Sequence, residues 1–413
     1  MNPFLSELMR PMSWDEFLDT AWAKIHVYHS ATDARRFEGL FGWNDLNRIL
    51  EQCRLPAPRL RLYRNGAEVD AKTYSHVIGA ERIIHAQDLE SCLASGATLI
   101  IDEVDELHTP LRHLAVCLEE KFRSPVNINA YASWKATPGF DLHWDEQDVF
   151  IIQLAGRKNW RVHPPRYPDP SKAQPKCKEP PAGEPVFDAA ISEGDVLYLP
   201  RGWWHQVTPV NESSLHLTVS INSPMAIELM QWLAHSLRGE AVLRQRLAAW
   251  TDQAGLELRE ILGSRLAPGL MEQFQRENTV RPSRRQWFSL PALAAVRIAN
   301  LPPSAAIRNV HPRGSYTGPS QSPGCFEVTA GGSSWAIPEN YREAVARLTS
   351  FEPIRISALK ELCSRTAWTF IEQLIQQWLD QRILAVVQED KGGGEAPQRA
   401  ISEWTSEEIP VPA

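Results

Sequence analysis

Paired cysteines are missing from this chain of 413 residues. The six present (Cys53, Cys92, Cys117, Cys177, Cys325 and Cys363) stand singly, with no CxxC spacing. That excludes a cysteine-rich zinc framework and a secreted disulfide scaffold, and makes a reducing cytoplasm the expected compartment. Long apolar runs are missing too. The opening MNPFLSELMRPMSWDEF holds no stretch suited to a signal peptide, and no segment approaches a membrane span. Positive charge is in deficit: 43 Lys and Arg against 50 Asp and Glu leave a net charge of -7. Broad electrostatic binding to nucleic acid is not expected from such a balance. Neither membrane nor direct nucleic-acid contact is therefore predicted.

What remains is an ordinary globular composition, 43% hydrophobic and 23% charged, in a chain long enough for two or three domains. Fifteen tryptophans are many, and suit an aromatic-lined pocket. Ser13 before Trp14-Asp15-Glu16-Phe17 reads as the cap of an amphipathic helix over 13–29, and a second helix is expected at Trp43–Leu50. Asn65-Gly66 between two strand-like runs signals a hairpin over 59–69. ATLIIDEV (97–104) reads as a strand. ELHTPLRHLAVCLEEKF (106–122) reads as a helix with Leu111, Leu114, Ala115, Leu118 and Phe122 on one face.

Several strands follow: VNINAYAS, DVFIIQLAG, NWRVHP, then a strand–turn–strand at ISEGDVLYLPRGWWHQVTPV, and LHLTVSIN (215–222). The segment Cys177–Gly183 between them reads as a surface excursion. A helical lead-in followed by many short antiparallel strands predicts a mainly β core plus α, built as a double-stranded β-helix of the jelly-roll or cupin type. This domain, with its helical lead-in, spans 1–223. Residues 224–300 switch to helical spacing and suit either an appendage packed on the barrel or a dimerisation region. Residues 301–335, rich in Pro, Gly and Ser, read as a linker. Helix, helix, helix and strand over 336–388 suggest a winged helix, and 389–413 a disordered tail. The third of those helices carries little positive charge, which favours contact with protein over DNA.

The chemistry concentrates in His143-Trp144-Asp145. A His and an Asp two apart on a strand face the same side, so both can grip one metal ion. His205 in LYLPRGWWHQV offers a third ligand. Two imidazoles and one carboxylate with open positions suit non-haem Fe(II), whereas structural zinc prefers a closed, cysteine-rich set. Alternation turns Trp144 away from the metal and Trp203 towards it, where it either walls a cleft or fills the core. His163 and His216 have no partner at metal spacing.

These motifs, NAYAS…HWDEQDVFIIQLAGRKNWRV…GDVLYLPRGWWHQ…HLTVS, resemble the JmjC-type ribosomal oxygenases, which are Fe(II)- and 2-oxoglutarate-dependent protein hydroxylases. The order of the flanking elements is similar as well. The resemblance implies that His143, Asp145 and His205 bind the iron. It places Lys158 where the family pairs a basic residue with the distal carboxylate of 2-oxoglutarate, while Arg157 beside it suits a solvated turn. Ser220, Asn129 and Tyr131 match further cosubstrate contacts, and Thr218 faces the same way as Ser220. The implied cosubstrates are 2-oxoglutarate and O₂. The implied partners are a ribosomal-protein substrate, hydroxylated on arginine or histidine, and a second copy of the chain. The loop SWKATPGFDL (133–142) departs from the family spacing near the substrate entrance. Two other readings stay open: a hydroxylase of a peptide or natural-product precursor, and a metal-holding cupin module without turnover.

Overall fold

The computed structural model describes residues 2–56, 58–279, 285, 297–310 and 315–387. The tail expected from 389 onward lies outside the described residues. Eight antiparallel strands form the larger sheet, in the order Val27–His29, Val196–Leu199, Asp148–Ala155, Ser214–Ile221, Val126–Ser133, Thr98–Ile101, Leu60–Arg64 and Ala67–Glu68. Facing it is a three-stranded sheet of Phe187–Ile191, Lys158–His163 and Trp204–Pro209. The two sheets make the expected β core, a jelly roll with helices on its outer side.

The strand Asp148–Ala155 shows why the sequence reads as an unbroken apolar run. Its first six residues are all buried, because both faces are covered. Phe150 and Ile152 pack outward, in one core with Phe17 and Leu118, while Val149 and Ile151 turn inward beside Trp160, Val162 and Leu197. The helix Thr109–Phe122 supplies Leu111, Leu114, Ala115 and Leu118 to the outer core. Each such leucine, fully buried, contributes about 1.5–3 kcal/mol.

The helix expected over 13–29 is much shorter than its pattern and follows another at Pro3–Met9. Ser13 does cap it, its Oγ accepting from the Glu16 N–H (3.1 Å), but the helix covers only Trp14–Thr20. Ala23 takes a positive φ of 57° and donates its N–H to the Tyr198 hydroxyl (3.0 Å). The chain so turned adds Val27–His29 to the edge of the large sheet. Packing of Phe17 and Trp22 against Tyr198 thus overrides helix periodicity. At the hairpin, Asn65 and Gly66 both have positive φ (52° and 75°), as a two-residue turn between right-twisted strands requires.

Past the barrel lie the helices Ala226–Ser236, Asp252–Arg265 and Leu270–Thr279, with a small core of Trp232, Leu233, Leu237 and Phe274. The linker expected over 301–335 is instead largely folded. Strands run over Ala306–Asn309, Tyr316–Pro319, Cys325–Ala330 and Ser333–Pro338. Their Ile307, Phe326, Val328 and Ile337 share one core with Ile371, Ile375 and Trp378 of the C-terminal unit. Some of the glycines that suggested a linker occupy tight turns between these strands, such as Gly331 and Gly332 with positive φ. The unit therefore begins well before 336. Its helices are Arg342–Thr349, Ile356–Glu361 and Arg365–Asp380, and Leu384–Val387 pairs with Ala306–Asn309. Among the described residues no helix is long and apolar enough to cross a membrane. All six cysteines are unpaired.

Candidate metal centre and cavity

His143 and Asp145 do not sit on a regular strand. They lie on an irregular stretch between Val126–Ser133 and Asp148–Ala155, and one backbone bridge sets their position. The His143 N–H donates to the His205 carbonyl (3.1 Å), and the His205 N–H returns to the His143 carbonyl (2.7 Å). This single ladder rung places the two imidazoles side by side, with ring centres 4.4 Å apart. The strand alternation inferred for HxD is thus replaced by tertiary pairing, with the same result for the ligand side chains.

One ligand atom each from His143, Asp145 and His205 lies within 4.8 Å of the others. The His205 Nε2 is 3.6 Å from Asp145 Oδ2. Each ring is aimed by its other nitrogen: Nδ1 of His143 donates to the Asp141 carbonyl (2.8 Å), and Nδ1 of His205 to the Trp203 carbonyl (3.1 Å). That leaves the Nε2 lone pairs free for a cation, the usual outer-shell arrangement for metal-binding histidines. Burial, reinforced by the neighbouring His143, holds His205 down to about 4, so it is neutral at physiological pH. Three ligands with no fourth side chain in the group fit a metal that keeps open positions better than a closed structural site. A second group at ligand spacing, His76, His85 and Asp88, is exposed on the surface, where Asp88 accepts hydrogen bonds from both rings (2.6 and 3.0 Å).

The three ligands open into a cavity between the two sheets. Lys158 lines it, only 1% exposed, on the first residue of its strand. No carboxylate of the described residues pairs with it. Its Nζ meets His216 Nδ1 (2.9 Å) and, at 3.5 Å, the Tyr131 carbonyl. Burial pushes the ammonium down to about 7, the expected response of a cation removed from water without an anion. Arg157, one residue earlier, points outward and pairs with Glu212 (3.1 and 3.3 Å).

Tyr131 and Thr218 also line the cavity; Asn129 and Ser220 do not. Asn129 lies opposite Thr218 across the strand pair, but its Oδ1 accepts the Glu103 N–H (2.9 Å), holding a turn in which Glu103 has a φ of 53°. Its side chain also hydrogen-bonds Tyr131, so its influence on the cavity passes through that phenol. Ser220 faces as Thr218 does but lies two residues, about 7 Å, further along the strand.

The residue missed from sequence is His216, which lines the cavity in contact with Lys158. The signal was its place two before Thr218 on an alternating strand. Neither Trp144 nor Trp203 reaches the cavity. Trp203 belongs to the inner core, and Trp144 donates Nε1–H to the Cys177 carbonyl (2.9 Å). Cys177 is itself buried against Trp144 and Trp204, so the excursion expected at Cys177–Gly183 begins as a plug.

The irregular loop 133–142 is held from outside by the hairpin. The N–H groups of Asn65 and Gly66 donate to the carbonyls of Pro138 (2.9 Å) and Gly139 (3.0 Å). Phe140 packs at a tilt against Tyr63 (4.4 Å) and reaches the His143 ring (5.4 Å). A Cβ on Gly66 would collide with the Asp141 carboxylate. The turn residues of a distant hairpin thereby fix one wall of the cavity mouth.

Fold and site together define a cupin-type barrel with one His/Asp/His cluster open to an internal cavity. Within that class, residues 106–229 match the family model described as the JmjC domain. A human protein named Ribosomal oxygenase 1 is 30% identical over 223 residues, covering 52% of this chain and 33% of that protein. A Drosophila persimilis protein named Bifunctional lysine-specific demethylase and histidyl-hydroxylase NO66 is 27% identical over 220 residues, covering 52% of this chain and 31% of its own length. The chain thus spans only about a third of the length of these relatives. Among solved structures, YcfD, a ribosomal oxygenase from Escherichia coli in complex with cobalt and 2-oxoglutarate, has a TM-score of 0.57 at 18% identity. The match covers 92% of this chain and 99% of that one. That likeness is one of fold.

Proposed function

We propose that the chain is an Fe(II)- and 2-oxoglutarate-dependent oxygenase that hydroxylates an arginine or histidine side chain of a ribosomal protein. One observation carries this reading: a group of three potential metal ligands shares its cavity with a buried lysine that has no carboxylate partner among the described residues. A dicarboxylic cosubstrate would join the two, held by the metal ligands at one end and by Lys158 at the other. His143, Asp145 and His205 would hold the iron. When bound, it supplies the coupling of 2-oxoglutarate decarboxylation, giving succinate and CO₂, to insertion of one oxygen atom of O₂ into a C–H bond. The chain's own residues do the rest. The carbonyls of Asp141 and Trp203 orient the ligand rings, Lys158 binds the distal carboxylate, and the Thr218 hydroxyl and Tyr131 lie in the same wall. Val149, Ile151 and Val207 add apolar surface to the lining.

The names of the relatives support a protein substrate from the ribosome, and the word histidyl-hydroxylase supports one of the two target residues. We further propose a homodimer formed through the helices after the barrel, where Ile227, Met230 and Leu256 are about half exposed. The C-terminal unit is read as a winged helix that contacts protein: Arg365–Asp380 carries one basic and two acidic residues. A cytoplasmic location fits the six unpaired cysteines.

The test is succinate formation from 2-oxoglutarate by protein loaded anaerobically with Fe(II) and then exposed to O₂, with and without ribosomal proteins of the host. Stimulation by one ribosomal protein supports the reading. Turnover that none stimulates moves the substrate to a peptide or natural-product precursor. Tight Fe(II) binding without turnover leaves a metal-binding module.

A further inference from the structure

We infer that His216 is a positioning residue for the cosubstrate: a neutral hydrogen-bond acceptor that orients the Lys158 ammonium without cancelling its charge. The inference rests on the oxygenase reading and deepens it.

An ammonium has three donors and no acceptor, so in the charged state Lys158 donates to His216 Nδ1 (2.9 Å), and the ring proton sits on Nε2. The imidazole is locked in that pose. It stacks on Tyr131 with ring centres 4.8 Å apart and planes 5° from parallel, and Trp160 meets it edge-on at 5.7 Å. Its exposure is 4%, and both burial and the adjacent Lys158 oppose its protonation. Burial and the adjacent charge thus favour the neutral, accepting form of the ring.

The choice of a neutral acceptor matters. A carboxylate at this position would fix the lysine equally well, but would form an ion pair that the cosubstrate carboxylate must then compete with. An apolar residue would leave the ammonium free to swing on its four-carbon stem. Imidazole does neither. It uses one donor of Lys158, the Tyr131 carbonyl lies near a second at 3.5 Å, and the positive charge stays available to an anion in the cavity.

The experiment measures 2-oxoglutarate binding by calorimetry to the full chain loaded with Co(II), together with Co(II) affinity. His216→Phe keeps a ring in the stack and removes the acceptor; it should weaken 2-oxoglutarate about tenfold with Co(II) affinity unchanged. His216→Asn places an amide oxygen near the Nδ1 position and should recover most of that loss. His216→Asp should bind more weakly than His216→Phe, because it pairs internally with Lys158. Unchanged binding in His216→Phe, or equal losses in the Phe and Asn variants, would overturn the assignment and make His216 a packing residue. Lys158→Met separates this from a failure of the oxygenase reading. If it loses 2-oxoglutarate while His216→Phe does not, only the His216 role falls. If wild-type protein binds no 2-oxoglutarate, both fall.

Discussion

The molecule buries two cations in opposite ways. Arg285, 8% exposed, lies against the helix Thr109–Phe122 and the turn before it. It donates to Asp105 from Nε (3.0 Å) and Nη2, to Glu119 from Nη1 (2.6 Å), and to the Val126 carbonyl. Burial works against its charge, but the two carboxylates outweigh that and hold its pKa above the usual value. Lys158 is buried more deeply, has only neutral partners, and falls to about 7. The first cation is satisfied by the fold. The second is left with a demand that no carboxylate of the described residues meets, and in the proposed reading the anion that enters the cavity beside the His/Asp/His group meets it. A buried charge thus separates structure from function by whether its counter-ion is part of the chain.

Removing each cation should therefore shift different quantities. Arg285→Ala strands Asp105 and Glu119 in the interior and should cost about 3–5 kcal/mol of stability, read as a lower unfolding midpoint in urea. Its 2-oxoglutarate affinity, measured where it is still folded, should match wild type; a selective loss of affinity would break the comparison. Lys158→Met should do the reverse. It removes an unpaired buried charge while keeping the apolar stem, so its unfolding midpoint should equal or exceed that of wild type. Its 2-oxoglutarate binding should weaken by about 1.5–3 kcal/mol for the lost charge-assisted hydrogen bond.

A pH titration sharpens the contrast. An anion binds the protonated form of Lys158, whose pKa in the free protein is about 7. Below that pH the charge is already in place and affinity should be flat. Above it, binding must take up a proton, so the dissociation constant should rise with pH, at most about tenfold per unit. Calorimetry in buffers of differing ionisation enthalpy would detect that proton, and a flat profile up to about pH 9 would contradict it. The smallest effect is expected next door. Arg157→Ala breaks only the solvent-exposed pair with Glu212 and should leave both stability and cosubstrate affinity within error.

Much of the site was legible because it depends on residue type. His143, Asp145, His205 and Lys158 carry chemistry that few other side chains supply, and motif resemblance singled them out together. Thr218 followed from strand period. Asn129 and Ser220 have suitable types and facing, but whether a polar side chain reaches a ligand depends on a few ångströms along the strand and on which neighbour claims it first. Asn129 is claimed by the Glu103 turn. His216 was passed over because metal spacing is the wrong test for a residue whose partner is a lysine 58 positions away.

The fold divides similarly. Short-range rules gave the Asn65-Gly66 hairpin, the Ser13 cap and the helix Thr109–Phe122, since each needs only its own neighbours in the chain. They failed at 21–29, where an aromatic cluster around Tyr198 ends a helix that the pattern would continue. They failed again at 306–338, where turn residues between short strands imitate a linker. By itself the sequence determined which groups could hold a metal and an anion, because that is a matter of side-chain chemistry. Only the tertiary structure decided that one backbone rung between His143 and His205 assembles the cluster, and that Lys158 faces a neutral imidazole. Those outcomes rest on long-range pairing, and no local pattern encodes them.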